Sequence, residues 1–287
     1  MRYHLVSMLG SGGFGTVYKG VHLRTGRVFA VKIMVENDES WDRVVGLSYR
    51  GERMILERLN HPHIIRVFNS HGWGTSRVEI FMDLMDGTLE SLAHALHPPC
   101  PLLAHHALRQ MLQALDYLAC HGYVHRDVKP ENIFYTTTAS SNDNGSGLSS
   151  SSSSPYHFRL GDFGLCDTES SANLPLNGTM LYMAPELFAR PQRRQSHKSD
   201  VWALYVTMLW TLDLGGIRRM AVCGGGGGGG GASSAAEALS LALGVAAVGD
   251  SDGRVRVFRD MARVDPDERA TAGEMLEMLF GGIRGGC

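Results

Sequence analysis

Residues 125–132 read HRDVKPEN, from His125 to Asn132. The chain carries four lysines, Lys19, Lys32, Lys129 and Lys198, among its 27 Lys and Arg residues. Arginine therefore does nearly all the basic work. A compact ammonium two residues after Asp127 and three before Asn132 needs a chemical reason, because the two cations are not interchangeable. On the octapeptide alone, chance or a solvated loop charge is the bland alternative. The rest of the chain decides otherwise.

Bulk properties bound the answer first. With 287 residues, 44% apolar and 20% charged, the chain is a globular one, large enough for one sizeable domain or two lobes. A formal net charge of −2 argues against binding nucleic acid through phosphate neutralisation. The longest apolar run, VWALYVTMLWTL (Val201–Leu212), has twelve residues and reads as a buried core helix, too short to span a bilayer. Segment 235–248 is apolar but carries Glu237, and no membrane association is expected. The start, MRYHLVSMLG, lacks the sustained apolar core of a signal peptide, so cytoplasm or nucleus is the expected location. Five cysteines without any CxxC point to a reducing compartment with no disulfide framework and no zinc site. Thirteen histidines without HExxH or Cys/His pairing read as surface or capping residues.

Working outward from the octapeptide, residues 3–35 alternate and break like antiparallel strands, with a turn at Thr25-Gly26. Residues 41–59 read as a helix ended by His61-Pro62, and Ile64–Val67 and Arg77–Leu84 as two more strands. After Asp86-Gly87 the character changes. Leu108, Met111, Leu112, Leu115 and Leu118 recur at helical spacing and predict an amphipathic helix over 104–120. The expected fold class is α+β with two lobes. Residues 1–84 form an antiparallel sheet plus one helix, and 85–287 a mainly helical part, within one domain. Residues 136–154, rich in Ser, Thr and Asn, read compositionally as a disordered surface insertion, and the eight glycines within 224–231 as a linker.

Gly10-Ser11-Gly12-Gly13-Phe14-Gly15 matches GxGxxG, and three readings compete. A dinucleotide turn needs a following helix and a later acid, but a strand follows and the acid is missing. A Walker A loop needs Gly-Lys-Ser/Thr, and Thr16 follows Gly15 directly. A glycine-rich hairpin covering nucleotide phosphates fits the context, and a hairpin with no ligand stays open on the glycines alone. Ala30-Val31-Lys32 lies on the next strand, seventeen residues after Gly15.

With HRDVKPEN, Asp162-Phe163-Gly164, Gly178-Thr179, Ala184-Pro185-Glu186, Asp200-Val201-Trp202 and Arg269 in DPDERAT, these motifs keep one order from residue 9 to 276. The chain resembles the eukaryotic protein kinase family, of serine/threonine type. The resemblance implies that Lys32 reaches the α- and β-phosphates of ATP and pairs with Glu52. It implies Asp127 as acceptor of the substrate hydroxyl proton and Lys129 as the cation neutralising the phosphoryl group in transit. Asn132 and Asp162 are implied to hold Mg2+. Leu9, Gly10, Gly12, Gly15, Val17, Ala30, Asp83, Met85 and Phe134 are implied to line the nucleotide site. Glu186 is implied to pair with Arg269, Asp200 to anchor the His125–Arg126 loop, and Thr179 to orient Asp127 and Lys129.

By the same resemblance, Arg126 points to control by phosphorylation at Thr168, Ser170 or Ser171 through an upstream activating kinase. Glu131 points to a basic residue upstream of the Ser/Thr acceptor in protein substrates. Three departures stand out. Tyr205 replaces a usual glycine, Phe134 a usual smaller leucine, and the region after Leu212 loses the usual helix sequence. Two rivals remain: a scaffold that binds nucleotide or partners without turnover, and a kinase for small molecules.

Overall fold

The computed structural model describes residues 2–12, 15–35, 58–73, 75–96, 98–137, 154–168, 178–189, 193–219, 237, 239–245 and 256–281. The alternating amino-terminal segment forms strands β1 (Tyr3–Gly12), β2 (Gly15–His22) and β3 (Val28–Val35), paired antiparallel in sequence order. The turn between β2 and β3 falls at the Thr25-Gly26 position. Gly26 takes φ +68° and its N–H donates to His22 O at 2.9 Å. Strands β4 (Val67–His71) and β5 (Arg77–Met82) complete a five-stranded sheet in the order β1-β2-β3-β5-β4.

β3 is the central strand, and its VFAVKIMV is buried over its inner six residues. A strand covered on both faces reads as a continuous apolar run, and Lys32 is the one break in it. Period-two alternation sends Phe29, Val31 and Ile33 to one face, where they join Phe81 in a small aromatic core. Tyr3 and Phe81 both meet the Phe29 ring edge-on, at 5.7 and 5.5 Å between centroids. The other face carries Lys32 toward the rest of the molecule, and its neighbour Met34 joins the main hydrophobic core.

Beyond β5 the chain passes through residues 83–86 into β6 (Gly87–Thr88), then α1 (Leu89–Ala95) and α2 (Pro101–Cys120). Short strands β7 (Tyr123–Val124) and β8 (Ile133–Thr137) flank HRDVKPEN. β9 (Tyr156–Leu160) pairs with β8, β10 (Asp167–Thr168) pairs with β7, and β6 edges β8. Helices α3 (His197–Thr211) and α4 (Ala272–Phe280) pack with α2. The five apolar residues of the predicted α2 stripe are all buried. Truncating one of them to Ala would cost about 2–5 kcal/mol. α3 is buried without a break from Ser199 to Thr211, as expected of a helix apolar all round.

Several boundaries differ from the sequence expectation. α2 begins at Pro101, three residues early, because proline is favoured in the first helical turn, where its missing N–H costs nothing. α3 begins at His197, set by a capping box between Ser196 and Ser199. Of the expected strand Ile64–Val67, only Val67 lies in a strand beside β5. Ile64 bridges Leu160 in parallel, and Ile65 N–H donates to Leu160 O at 2.8 Å, so this stretch belongs to β9. β4 starts only at Val67, and β5 stops at Met82 instead of Leu84. Cys120 is disulfide-bonded, which corrects the expectation of no disulfide, while Cys100 and Cys166 are thiols. Glu52, the 224–231 linker, most of the predicted helix over 41–59 and most of the 136–154 segment lie outside the described residues. Thr136 and Thr137 belong to β8. No helix among the described residues is long and apolar enough to cross a membrane.

Candidate active site

HRDVKPEN crosses the space between β7 and β8, bolted from below by α3. Asp200 in the first turn of α3 accepts the His125 N–H at 2.7 Å and the Arg126 N–H at 2.9 Å. Arg126 holds φ +72°, a conformation a side chain resists, and those two bonds help to hold it there. Burial pushes the Asp200 carboxyl up to about 7, with the two amide bonds and Arg126 pulling the other way. His125 is fully buried and bridges to Gly161. One ring nitrogen meets Gly161 O at 3.0 Å, and Nδ1 accepts the Asp127 N–H at 3.4 Å. That pattern fits a neutral ring, and burial lowers its pKa, against the pull of Asp127 and Asp162. Phe163 meets the same ring edge-on at 4.9 Å.

Asp127 is fixed on both oxygens. Oδ1 accepts from Thr179 N–H at 3.0 Å and from Thr179 Oγ1 at 2.9 Å, and Oδ2 accepts from Asn132 Nδ2 at 2.9 Å. Lys129 Nζ lies 2.8 Å from Oδ2 and donates to Thr179 Oγ1 at 2.7 Å. A lysine only donates and a carboxylate only accepts, so the threonine hydroxyl between them has its proton placed on the Asp127 side. Thr179 thus holds the acid and the lysine at one setting. Gly178 delivers it there at φ +120°, where an added Cβ would stand 2.5 Å from Arg126 O.

Lys32 arrives from the other lobe and donates to Asp162 Oδ1 at 2.9 Å. Burial alone would raise the Asp162 carboxyl. The charge and hydrogen bond of Lys32 outweigh it and hold the carboxyl below its ordinary value. Asp162 is itself at φ +58°, entering the turn Phe163–Leu165. The structure therefore brings together Lys32, Asp127, Lys129, Asn132 and Asp162, from β3, the β7–β8 loop and the segment after β9.

Of the expected nucleotide-contacting residues, Leu9, Gly10, Gly12, Gly15 and Val17 lie on β1 and β2, Ala30 on β3 and Phe134 on β8. Asp83 and Met85 lie in the connection after β5. Gly15 is pressed against β3, since a Cβ there would stand 2.5 Å from Ile33 O. Asp83 has neither its carboxylate nor its N–H free for a ligand. Its carboxylate is engaged by Arg27, Arg66 and Arg159 at 3.3, 3.0 and 2.9 Å, and its N–H donates to Arg66 O. This arginine cluster escaped the sequence reading, because its members come from four separate segments. Ser199, which donates to Glu186 Oε1 at 2.9 Å, was also missed; its place three residues after Ser196 was the available signal.

Below the site, Arg269 and Glu186 form a bidentate pair, both N–O distances 2.8 Å, with side chains 0% and 3% exposed.

Among the described residues no group of three or more His, Cys, Asp or Glu clusters to hold a metal. A metal here would draw on Asp162, on the Asn132 amide oxygen and on oxygens of a bound ligand. Both bonds of the Asn132 amide use Nδ2, to Asp127 O at 2.8 Å and to Oδ2, which leaves Oδ1 for that task. Hard oxygen donors beside two ammonium groups fit magnesium with a polyphosphate.

Comparison with known proteins agrees with this chemistry. Residues 3–214 match the family described as Protein kinase domain. The chain is 32% identical over 209 residues to Serine/threonine-protein kinase PknD of Mycobacterium tuberculosis, covering 70% of this chain and 28% of that protein. It is 31% identical over 280 residues to Serine/threonine-protein kinase PknH of Mycobacterium bovis, covering 95% and 42%. It is 30% identical over 216 residues to Serine/threonine-protein kinase SSK22 of Saccharomyces cerevisiae, covering 73% and 16%. The chain thus spans less than half of these relatives' length. Matched over most of its residues, with Lys32, Asp127, Asn132 and Asp162 in one place, the chain belongs to the protein kinase family, serine/threonine type.

Proposed function

We propose that the chain transfers the γ-phosphoryl group of ATP to serine or threonine hydroxyls of protein substrates, with Mg2+ at Asn132 and Asp162. The observation that carries this reading is the Asp127–Thr179–Lys129 triangle, which holds a proton acceptor and a cation side by side. When bound, magnesium–ATP supplies the transferable phosphoryl group and its counter-charge. Asp127 then orients the acceptor hydroxyl and takes its proton as the oxygen attacks. Lys129 sits beside it to meet the negative charge of the moving group, and Lys32 holds the remaining phosphates. Nothing in this scheme requires covalent work from the protein; positioning and fixed charge carry it.

Two features support a regulated enzyme acting on peptides. Arg126 is 8% exposed and its Nε has no hydrogen-bond partner, while its head group reaches Asp167 only at 3.6 Å. A phosphate added at Thr168, Ser170 or Ser171 by an upstream kinase would satisfy it; Ser170 and Ser171 lie outside the described residues. Glu131 has a buried Oε2 without a hydrogen-bond partner, and burial and nearby Glu90 raise its carboxyl. A substrate with a basic residue before its acceptor would relieve that charge.

The test is phosphoryl transfer from labelled ATP by purified protein to a serine/threonine peptide library, with Asp127→Asn as control. Transfer to peptides, falling by about 10²–10⁴ in the variant, is the expected result. Nucleotide binding without turnover would mean a scaffold instead, and phosphorylation of metabolites but not peptides a small-molecule kinase.

A further inference from the structure

Behind the connection that carries Asp83 lies a cavity of about 320 Å³, lined among others by Asn60, His61, Arg66, Asp83 and Arg159. It is separate from the Asp127–Lys129–Thr179 triangle, none of whose residues lines it. Its charge does not balance. Three guanidiniums, from Arg27 on the β2–β3 turn, Arg66 before β4 and Arg159 on β9, converge on the single carboxylate of Asp83. Of these only Arg66 and Arg159 line the cavity, so its wall carries two positive charges against one negative, a formal excess of one.

The hydrogen bonds are as lopsided as the charges. Asp83 is already saturated: Oδ1 accepts from Arg27 and Arg66, Oδ2 from Arg66 and Arg159. Arg159 Nε is buried and has no hydrogen-bond partner, a state that costs free energy and is rare in folded proteins. Arg159 spends NH1 on Asp83, and its side chain, 24% exposed, lines the cavity while Nε itself is covered. His61 adds a further donor. Its Nδ1 accepts the His63 N–H at 3.2 Å, and burial lowers its pKa to about 4, so at neutral pH the ring is uncharged and carries its proton on the other nitrogen.

Two guanidiniums with an excess of positive charge, and a histidine that carries a neutral N–H, line one concave space and make a receptor for an oxyanion. We propose that this cavity is an accessory site for a phosphate monoester, held by Arg66 and Arg159 behind the β5–β6 connection. An anion meets the excess of positive charge, and the planar fork of arginine matches phosphate oxygens. Binding there would compete with Asp83 for Arg66 and Arg159. Since the Asp83 N–H is tied to Arg66 O, occupancy would be felt by the backbone that separates the lobes.

The experiment observes the arginine side-chain Nε–H resonances of the isotope-labelled chain by NMR, the Arg159 signal being identified by its loss in Arg159→Lys. Three probes are titrated in turn: inorganic phosphate, O-phosphoserine, and a phosphoserine peptide copying Ser149–His157 of the chain itself. A saturable shift of the Arg159 signal, weakened about tenfold or more in Arg66→Gln, is the expected result. Arg66 is a half-exposed surface residue, so that variant keeps its fold, checked by an unchanged melting temperature. Stronger binding of the peptide would assign the site to phosphorylated polypeptide, and equal binding of all three to small phosphates. No shift with any probe, or a shift indifferent to Arg66→Gln, overturns the proposal. The readout is binding, so its outcome is independent of whether the chain turns over ATP.

Discussion

At the scale of single residues, Arg269 shows how much one side chain can hold. Its Nε donates to Arg263 O at 2.9 Å, its two terminal nitrogens grip Glu186, and further bonds reach Lys198 O and Val264 O. The guanidinium also lies 5.2 Å from the Trp202 ring centroid. Arg269→Ala would strand the Glu186 carboxylate in the interior, and we expect it to lower unfolding free energy by about 3–5 kcal/mol, read from urea denaturation. The double change Glu186→Gln with Arg269→Met should cost less than Arg269→Ala alone, because no uncompensated charge remains buried. Pairing of this kind was legible in the sequence only through the resemblance. Nothing local links position 186 to position 269. The HRDVKPEN loop stood out by its scarce lysine beside an aspartate and an amide, but the roles of its residues were read through the resemblance as well. The Asp83 cluster was not legible, because residues 27, 66, 83 and 159 share no spacing that any pattern could reveal.

Among elements, helices were read best and strand partners worst. The 3.6-residue repeat of α2 names its buried face without knowledge of any partner, and only its first turn was misplaced, at Pro101. The stretch around Ile64 is apolar and short, which fits a strand equally well against β5 or β9; the choice is made by tertiary contact, here the bonds with Leu160. The segment leading to Thr179 depends on one backbone conformation. Gly178→Ala forces a Cβ against Arg126 O at a φ that side chains avoid, so Thr179 must shift off Asp127. The variant is expected to retain its melting temperature within a few degrees while phosphoryl transfer falls by about tenfold or more, since small misplacements of catalytic groups are costly. Equal transfer by wild type and variant would show that the threonine contact is dispensable.

For the molecule as a whole, two sets of groups shifted by desolvation oppose each other as pH changes. Burial lowers His61 and His63 to about 4, below the 6.5 of an exposed ring. The unfolded chain therefore binds more protons than the folded one between those values, and the stability they contribute is lost as pH falls from 6.5 toward 4. Asp200 runs the other way. Raised from 3.8 to about 7, it contributes most below 3.8 and loses that contribution as pH rises to about 7. Replacing both histidines by glutamine should flatten the acid limb below pH 6.5 and leave the loss toward pH 7 in place, as measured by chemical denaturation across that range. The two-lobe division was visible in the sequence as a change of periodicity after Asp86-Gly87. The departure at Tyr205 was visible too, but not its use: the Tyr205 hydroxyl donates to Ala242 O at 2.7 Å, tying α3 to the helical residues 239–245.

The scarcity of lysine has a practical corollary once Lys32 and Lys129 are seen at the site. An amine-selective acylating reagent finds four lysine side chains in these 287 residues, and two of them stand at the site. Digestion and mass spectrometry would then map occupancy almost without background. Bound nucleotide should shield Lys32 and Lys129 from the reagent while Lys19 and Lys198 go on reacting at an unchanged pace.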